Sequence, residues 1–243
     1  MVTGAGRGIG RAIALALARE GADVALAART AAEISEVARQ VRSFGRRALE
    51  VPADVTSPAQ VTALAQSVAR DLGDVDILVN NAGGAESAPL TKTDEGLWRR
   101  MIASNLDSVY LCTAAFLPGM LKRGRGRVIN VASRAGLTGF AYVSAYCAAK
   151  HGVVGFTRAV AAEVEGKGVT INALCPGYVD TDMTAVSAAR IARATGVTTE
   201  DALLTLAGFN PHGRLIAPEA VAEAALDLAR PGSGAINGKT IPL

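Results

Sequence analysis

The sequence predicts a single α/β domain over residues 1–243, a doubly wound parallel sheet with helices on both faces, and three observations carry that prediction. A glycine-rich loop, Thr3-Gly4-Ala5-Gly6-Arg7-Gly8-Ile9-Gly10, stands at the head of the chain and opens a helical run from Arg11 to Glu20. Short apolar runs at Val75–Val79, Val128–Ala132 and Val169–Leu174 alternate with helical patterns. Such predominantly apolar runs suit parallel strands covered on both faces. Half of the residues are hydrophobic but only 4% are aromatic, and the abundant Ala and Gly suit helices packed closely on a sheet rather than a β-sandwich.

The remaining elements follow in order. Gly21 ends the first helix as a C-terminal cap. Asp23 to Ala28 reads as the second strand, and Thr30 with Glu33 forms a capping-box pattern for a helix that ends near Gly45. The third strand, Arg47 to Pro52, runs into Asp54-Val55, and Ser57-Pro58 starts the next helix with a serine cap and proline at its first position. Val75–Val79 ends in Asn80-Asn81-Ala82-Gly83, whose asparagines suit either strand-end ties or a ligand. Trp98 lies in the following helix and reads as a packing residue. Asn105 interrupts that helix, which signals a bend or a polar duty.

Lys122-Arg123-Gly124-Arg125-Gly126-Arg127 reads first as a solvated basic turn, and more sharply as a docking patch for an acidic carrier protein or CoA phosphates. Ser133 ends the fifth strand on the side where open α/β sheets place their chemistry. Cys175-Pro176-Gly177 ends the sixth strand. An Ala-rich helical insert over about 184–210 suits a lid over a substrate. Pro218 to Ala229 is the final helix and Gly238 onward the final strand.

Several function classes drop out. A net charge of +3 is too small to argue for nucleic acid or membrane partners. There is no signal peptide and no apolar run of membrane-spanning length. Cys112, Cys147 and Cys175 lack C-x-x-C spacing and read as free thiols in a reducing cytoplasm. Asp180 and Asp182 have no histidine beside them, so no metal is expected. Ser133 lies in Ala-Ser-Arg rather than G-x-S-x-G, and neither His151 nor His212 follows a nucleophile elbow, which argues against hydrolase chemistry.

Two stretches carry positive chemistry. Tyr146 and Lys150 are four residues apart and project from one helix face. A lysine cation favours a phenolate and lowers the tyrosine pKa toward that of a usable base. The glycine loop lets the backbone approach a ligand, and the helix N-terminus behind it offers N–H groups and a positive dipole to a pyrophosphate. At the tip of the second strand, where an acid would bond a ribose 2′-hydroxyl, the chain has Ala28 and Arg29. Arg7 faces the same pocket in this reading. Two guanidiniums and no carboxylate suit a 2′-phosphate, hence NADP(H), with NAD(H) as the alternative.

Together these residues closely resemble the short-chain dehydrogenase/reductase family. The matches are Thr3 to Gly10 for T-G-x-x-x-G-x-G, Asn80 to Gly83 for N-N-A-G, then Asn105, Ser133, Tyr146-x-x-x-Lys150, and Pro176-Gly177 followed by Thr181. They occur in the family's order over essentially the whole chain. The resemblance implies a Rossmann-like sheet of about seven parallel strands, usually in a homotetramer built through the helices bearing Asn105 and Tyr146. It implies Tyr146 as acid/base and Ser133 as hydrogen-bond donor to the reacting oxygen. Lys150 would lower the tyrosine pKa and bond the nicotinamide ribose, and Asn105 would hold a proton-relaying water. Thr3, Gly4, Arg7, Gly8, Ile9 and Gly10 would cradle the dinucleotide, Arg29 its 2′-phosphate, and Asp54 with Val55 the adenine. Asn81, Ala82 and Gly83 would line its path, and Pro176, Gly177, Val179 and Thr181 would grip the carboxamide.

Two departures from the family pattern concern the ends. Only Met1 and Val2 precede the glycine loop as a first strand, and Leu243 falls within the last, so both termini read as trimmed. Gly124–Ser133, Tyr146–Phe156 and Pro176–Met183 look most like β-ketoacyl-(acyl carrier protein) reductases and polyketide ketoreductases. The expected activity is NADPH-dependent reduction of a 3-ketoacyl thioester on acyl carrier protein or CoA. Related 3-hydroxyacyl-CoA, 3-hydroxybutyrate or other secondary-alcohol dehydrogenases share these stretches. A catalytically silent cofactor-binding module is the reading from another class, and the Asn-Ser-Tyr-Lys set argues against it.

Overall fold

The computed structural model describes residues 1–243. Seven strands form one sheet: β1 (Val2–Thr3), β2 (Val24–Ala28), β3 (Ala48–Pro52), β4 (Ile77–Asn80), β5 (Gly126–Val131), β6 (Val169–Cys175) and β7 (Thr240–Pro242). Every pair is parallel and the order is β3-β2-β1-β4-β5-β6-β7. The chain winds outward from β1 to β3, then crosses to β4 and winds the other way. The C-terminal ends of β1 and β4 are therefore the switch point at which such sheets open a crevice. The loops that meet there are the glycine loop and Asn80–Gly83.

On one face pack α1 (Gly8–Arg19), α2 (Ala31–Ser43) and α9 (Pro218–Ala229), through Ile13, Ile34 and Val221 among others. The opposite face is covered by α3 (Pro58–Asp71), α5 (Ser108–Arg123) and α6 (Ser144–Glu163), where Leu64, Met120 and Val160 join the core. Burial on both faces explains why β6 is buried at every position, Thr170 and Asn172 included. The short β1 is fully integrated: Val2 is buried, and the Met1 carbonyl accepts from the Val79 N–H at 2.9 Å. At the other edge Leu243 exchanges backbone bonds with Cys175 and Gly177.

α4 (Glu95–Ile102) runs into α5 through a π-type turn over Ala103–Asp107, centred on Asn105. The widened turn is the interruption the asparagine foretold, and such bulges concentrate at functional positions. α7 (Asp182–Thr195) and α8 (Thr199–Gly208) form the expected helical insert. No helix is long and apolar enough to cross a membrane.

Three local expectations are corrected. The capping box does not form: Thr30 makes no side-chain cap to α2, and the Glu33 side chain lies against Gly6 in the glycine loop rather than turning back to its own helix start. Trp98 keeps 39% of its surface exposed and is only partly packed. The basic loop is not a wholly solvated turn: its three arginines are engaged within the protein, while Lys122 and Arg125 keep exposed surface. Arg123 pairs with Asp74 at 2.9 Å and bonds the Val75 carbonyl, Arg125 pairs with Asp76 at 3.0 Å, and Arg127 bonds the carbonyls of Gly126, Gly168 and Pro231. These guanidiniums bolt together the N-terminal ends of β4, β5 and β6, the end of the sheet opposite Ser133.

Candidate active site

Strand β5 delivers Ser133 just past its C-terminal end, and α6 lies alongside with Tyr146 and Lys150 on one face. The Ser133 hydroxyl accepts the Ala135 N–H at 3.1 Å and is free to donate to the Tyr146 phenol, which it favours in the ionised form. Lys150 is buried, at 4% exposure, and its ammonium donates to the Val131 carbonyl at 2.9 Å while lying 5.7 Å from the centroid of the Tyr146 ring. Asn105 is fully buried. Its amide N–H₂ reaches the carbonyls of Gly84 (2.9 Å) and Met101 (3.0 Å) and the Ser104 hydroxyl, while its oxygen accepts from the Gly84 N–H at 3.3 Å. A Cβ on Gly83 would meet the Asn105 side-chain oxygen at 2.6 Å and the Lys150 ammonium at 3.8 Å, so only glycine lets these two groups share one corner. Residues more than a hundred positions apart, if the glycine loop is counted, thus converge on one end of the sheet.

The electrostatics differ from the expected pattern. Burial pushes the Tyr146 pKa up to about 12, and although the residue keeps some accessible surface its phenol lies deep in protein. The same desolvation pushes Lys150 down to about 8. Desolvation is the largest influence on the Tyr146 phenol, and Lys150, whose ammonium donates to the Val131 carbonyl, does not offset it. The pair is consequently a neutral phenol, a proton donor at physiological pH, beside a lysine that titrates near neutrality.

The dinucleotide residues form a cradle around the switch point. Gly4 (φ +62°) and Gly8 (φ +53°) adopt left-handed backbone, and a Cβ on Gly10 would run into the Gly4 carbonyl and the Asn81 amide. Gly8, Ile9 and Gly10 open α1 with no side-chain cap on its first N–H groups, which leaves that end to an anion. Thr3 uses its hydroxyl inside the protein, accepting from the Asn81 and Ala82 N–H groups at 2.9 and 3.0 Å. Asn81 likewise ties the carbonyls of Thr3 and Gly4, and Asn80 bonds Thr113 and Asn130, so both asparagine side chains have structural bonds. Thr56, through its N–H and hydroxyl, holds the Asp54 carboxyl below its usual range, and the Arg29 charge adds to this. Val55 beside it is buried. Thr181 stands just before α7 without a side-chain cap to it, its methyl near Gly8, and both Thr181 and Thr184 donate to the Val179 carbonyl.

The picture of two guanidiniums and no carboxylate is corrected. Arg7 points to Asp182, 3.6 Å away, with both side chains exposed, and does not join Arg29. A Cβ on Gly6 would stand 2.8 Å from a Glu33 carboxylate oxygen, so an acid does adjoin the loop. Arg29 alone remains exposed and without an ion-pair partner at the tip of β2.

Two further residues went unnoticed in the sequence. Asn210 is buried and bonds both the N–H (2.9 Å) and carbonyl (2.8 Å) of Tyr178 as well as the Arg214 carbonyl. It clamps the end of the insert to the strand end at Pro176-Gly177. Its Asn-Pro context was the available turn cue. Arg134, next to Ser133, donates to the Phe209 carbonyl at 2.7 Å, while the Arg134 N–H bonds the Pro176 carbonyl at 2.9 Å. No sequence signal marked that latch.

Comparison with known proteins identifies the family. The family model for short-chain dehydrogenases matches residues 1–191. The chain is 39% identical to the 3-oxoacyl-[acyl-carrier-protein] reductase of Vibrio cholerae, covering 99% of this chain and 93% of that protein. It is also 39% identical to the D-beta-hydroxybutyrate dehydrogenase of Rhizobium meliloti, covering 100% and 95% respectively. Among solved structures, a variant of actinorhodin polyketide ketoreductase with NADPH superposes with a TM-score of 0.96 at 37% identity, covering 100% of this chain and 94% of the other.

Proposed function

The chain belongs to the short-chain dehydrogenase family and is an oxidoreductase, and on that premise we propose that it reduces the keto group of a 3-ketoacyl thioester with NADPH. The observation that carries the reading is the convergence of the Ser133 and Tyr146 hydroxyls beside buried Lys150 at the C-terminal end of β5. The cradle fits a dinucleotide: glycines stand where a Cβ would fill the space, and the first N–H groups of α1 lack a side-chain cap. Gly4, Gly8 and Gly10 would hold the pyrophosphate, Arg29 the 2′-phosphate, Asp54 and Val55 the adenine, and Val179 and Thr181 the carboxamide. The cofactor supplies a hydride to the keto carbon.

This chain's own residues supply the rest. Ser133 donates a hydrogen bond to the keto oxygen as negative charge develops on it, a contribution of the oxyanion type. Tyr146 transfers its phenolic proton to that oxygen. A phenol held near 12 is protonated throughout the neutral range, so the donor is always charged with its proton. Lys150, beside the ring and titrating near 8, returns a proton toward the phenolate, and Asn105 orients the corner through which solvent reaches it. One domain over 1–243 carries the whole reaction in this reading. A homotetramer built through the helices bearing Asn105 and Tyr146 is part of the proposal. Half-exposed Tyr110, edge-on to Phe156 at 6.5 Å, supplies an apolar face for it.

The hydroxybutyrate dehydrogenase relative favours a second reading, oxidation of a 3-hydroxy acid with NAD. Both are tested by following reduced nicotinamide absorbance with acetoacetyl-CoA, using NADPH and NADH in parallel. Rapid oxidation of NADPH alone supports the reductase. A preference for NADH supports the dehydrogenase, and silence with both on folded protein refutes the thioester substrate.

A further inference from the structure

Tyr142 lies on the segment between Ser133 and Tyr146, and it is the one residue other than glycine with a left-handed backbone, at φ +67°. That conformation brings the Cβ of an L-residue too near its own backbone and is an outlier for a bulky side chain. The ring recovers little by burial, since the residue is 65% exposed. Its fixed contact is the carbonyl, which accepts the Ala88 N–H at 2.8 Å and ties the catalytic segment to the loop after β4. A glycine would make that backbone bond equally well, without strain. Folding therefore gives no reason for tyrosine at this position, and strained residues of this kind gather at ligand clamps.

Apolar side chains stand beside Tyr142 in sequence and on the insert. Phe140, two residues earlier, stands edge-on to Phe209 at 6.0 Å, and Phe209 leans on Tyr178 at 6.0 Å. Phe209 is half-exposed, as are Met183, Val186 and Leu204 on α7 and α8. Aromatic and aliphatic side chains thus line both the catalytic segment and the insert at the end of the sheet that carries the chemistry. None of these side chains is charged, which suits an alkyl chain rather than the amide-rich arm of a carrier.

We propose that Tyr142 is a specificity-determining residue whose strained backbone holds its ring at the mouth of the site, where it packs on the alkyl chain beyond C4 of the 3-ketoacyl group. The inference rests on the reductase reading. Chain length is the test, with N-acetylcysteamine thioesters of acetoacetate and 3-oxooctanoate as substrates. Tyr142→Gly raises KM for the longer substrate by about tenfold, the worth of one aromatic contact, and for acetoacetyl by less than about threefold. Tyr142→Phe keeps the wild-type preference. Tyr142→Gly also raises the urea midpoint, because the strain is gone.

An active wild type whose Gly variant changes both KM values in parallel overturns the alkyl occupant, as does a Phe variant that behaves like Gly. A lowered urea midpoint in Tyr142→Gly overturns the strain argument. A wild type silent with both thioesters overturns the reaction and the occupant together.

Discussion

Replacing Lys150 by methionine removes a buried cation that the fold itself does not need. The ammonium is 4% exposed, has one carbonyl partner and no carboxylate, and burial lowers its pKa from 10.5 to about 8. At roughly 1.4 kcal/mol per pH unit, charging it inside the protein costs about 3 kcal/mol relative to the unfolded chain. Because the folded pKa is the lower one, the unfolded state binds more protons between pH 8 and 10.5. The cost is therefore present in full below about pH 8 and is relieved as pH rises to 10.5. Methionine fills a similar volume but leaves the buried Val131 carbonyl without its partner, a loss of about 1 kcal/mol or more. Lys150→Met is thus expected to be more stable than the wild type at pH 7 by about 1 to 2 kcal/mol, and to lose that advantage by pH 10.5. Urea unfolding of both proteins at one protein concentration, from pH 7 to 10.5, measures this. Taking the difference cancels the shared groups that do not feel the Lys150 charge; Cys175, which does, has its thiol pushed up to about 11 by burial, above the window measured. Parallel stability profiles would refute the assignment of Lys150 as a desolvated, unpaired cation.

Four more outcomes can be checked directly. Tyr146→Phe keeps NADPH binding within about threefold, by fluorescence titration, while turnover falls at least about a hundredfold, the usual loss for a general acid. Arg29→Ala weakens NADPH by about tenfold or more and NADH by less than about threefold, and equal effects would remove the 2′-phosphate role. In the same titration Glu33→Gln, which takes a carboxylate away from the glycine loop, tightens NADPH. Asn210→Ala leaves the Tyr178 N–H unpartnered while its carbonyl keeps the Ile216 N–H, costs about 1 to 2 kcal/mol in urea unfolding, and raises KM with NADPH binding unchanged.

Much of the fold was legible because its determinants are local. The predominantly apolar runs of β4 and β5 need only their own residues to suggest a doubly covered strand, whereas the burial of Thr170 and Asn172 in β6 shows only in the fold. Tyr146 and Lys150 share a face because helix geometry places i and i+4 together. The interruption at Asn105 showed in the sequence as a polar residue within a helical pattern, and it proved to be a π-type turn. The glycine loop was readable from spacing alone, since only glycine tolerates the backbone of Gly4 and Gly8.

Where charged and polar side chains point was not legible, because a long side chain chooses its partner from whatever the fold brings near. Arg7 chose Asp182, Glu33 turned to Gly6, and the basic loop spent its guanidiniums on Asp74, Asp76 and strand-end carbonyls. Asn210 and Arg134 clamp the insert through contacts to residues 32 and 75 positions away, distances over which no local pattern operates. The pKa values of Tyr146 and Lys150 moved opposite to what their pairing alone implies, because desolvation depends on all the surrounding protein. The spacing of residues thus determined which groups meet, and packing around them determined their charge.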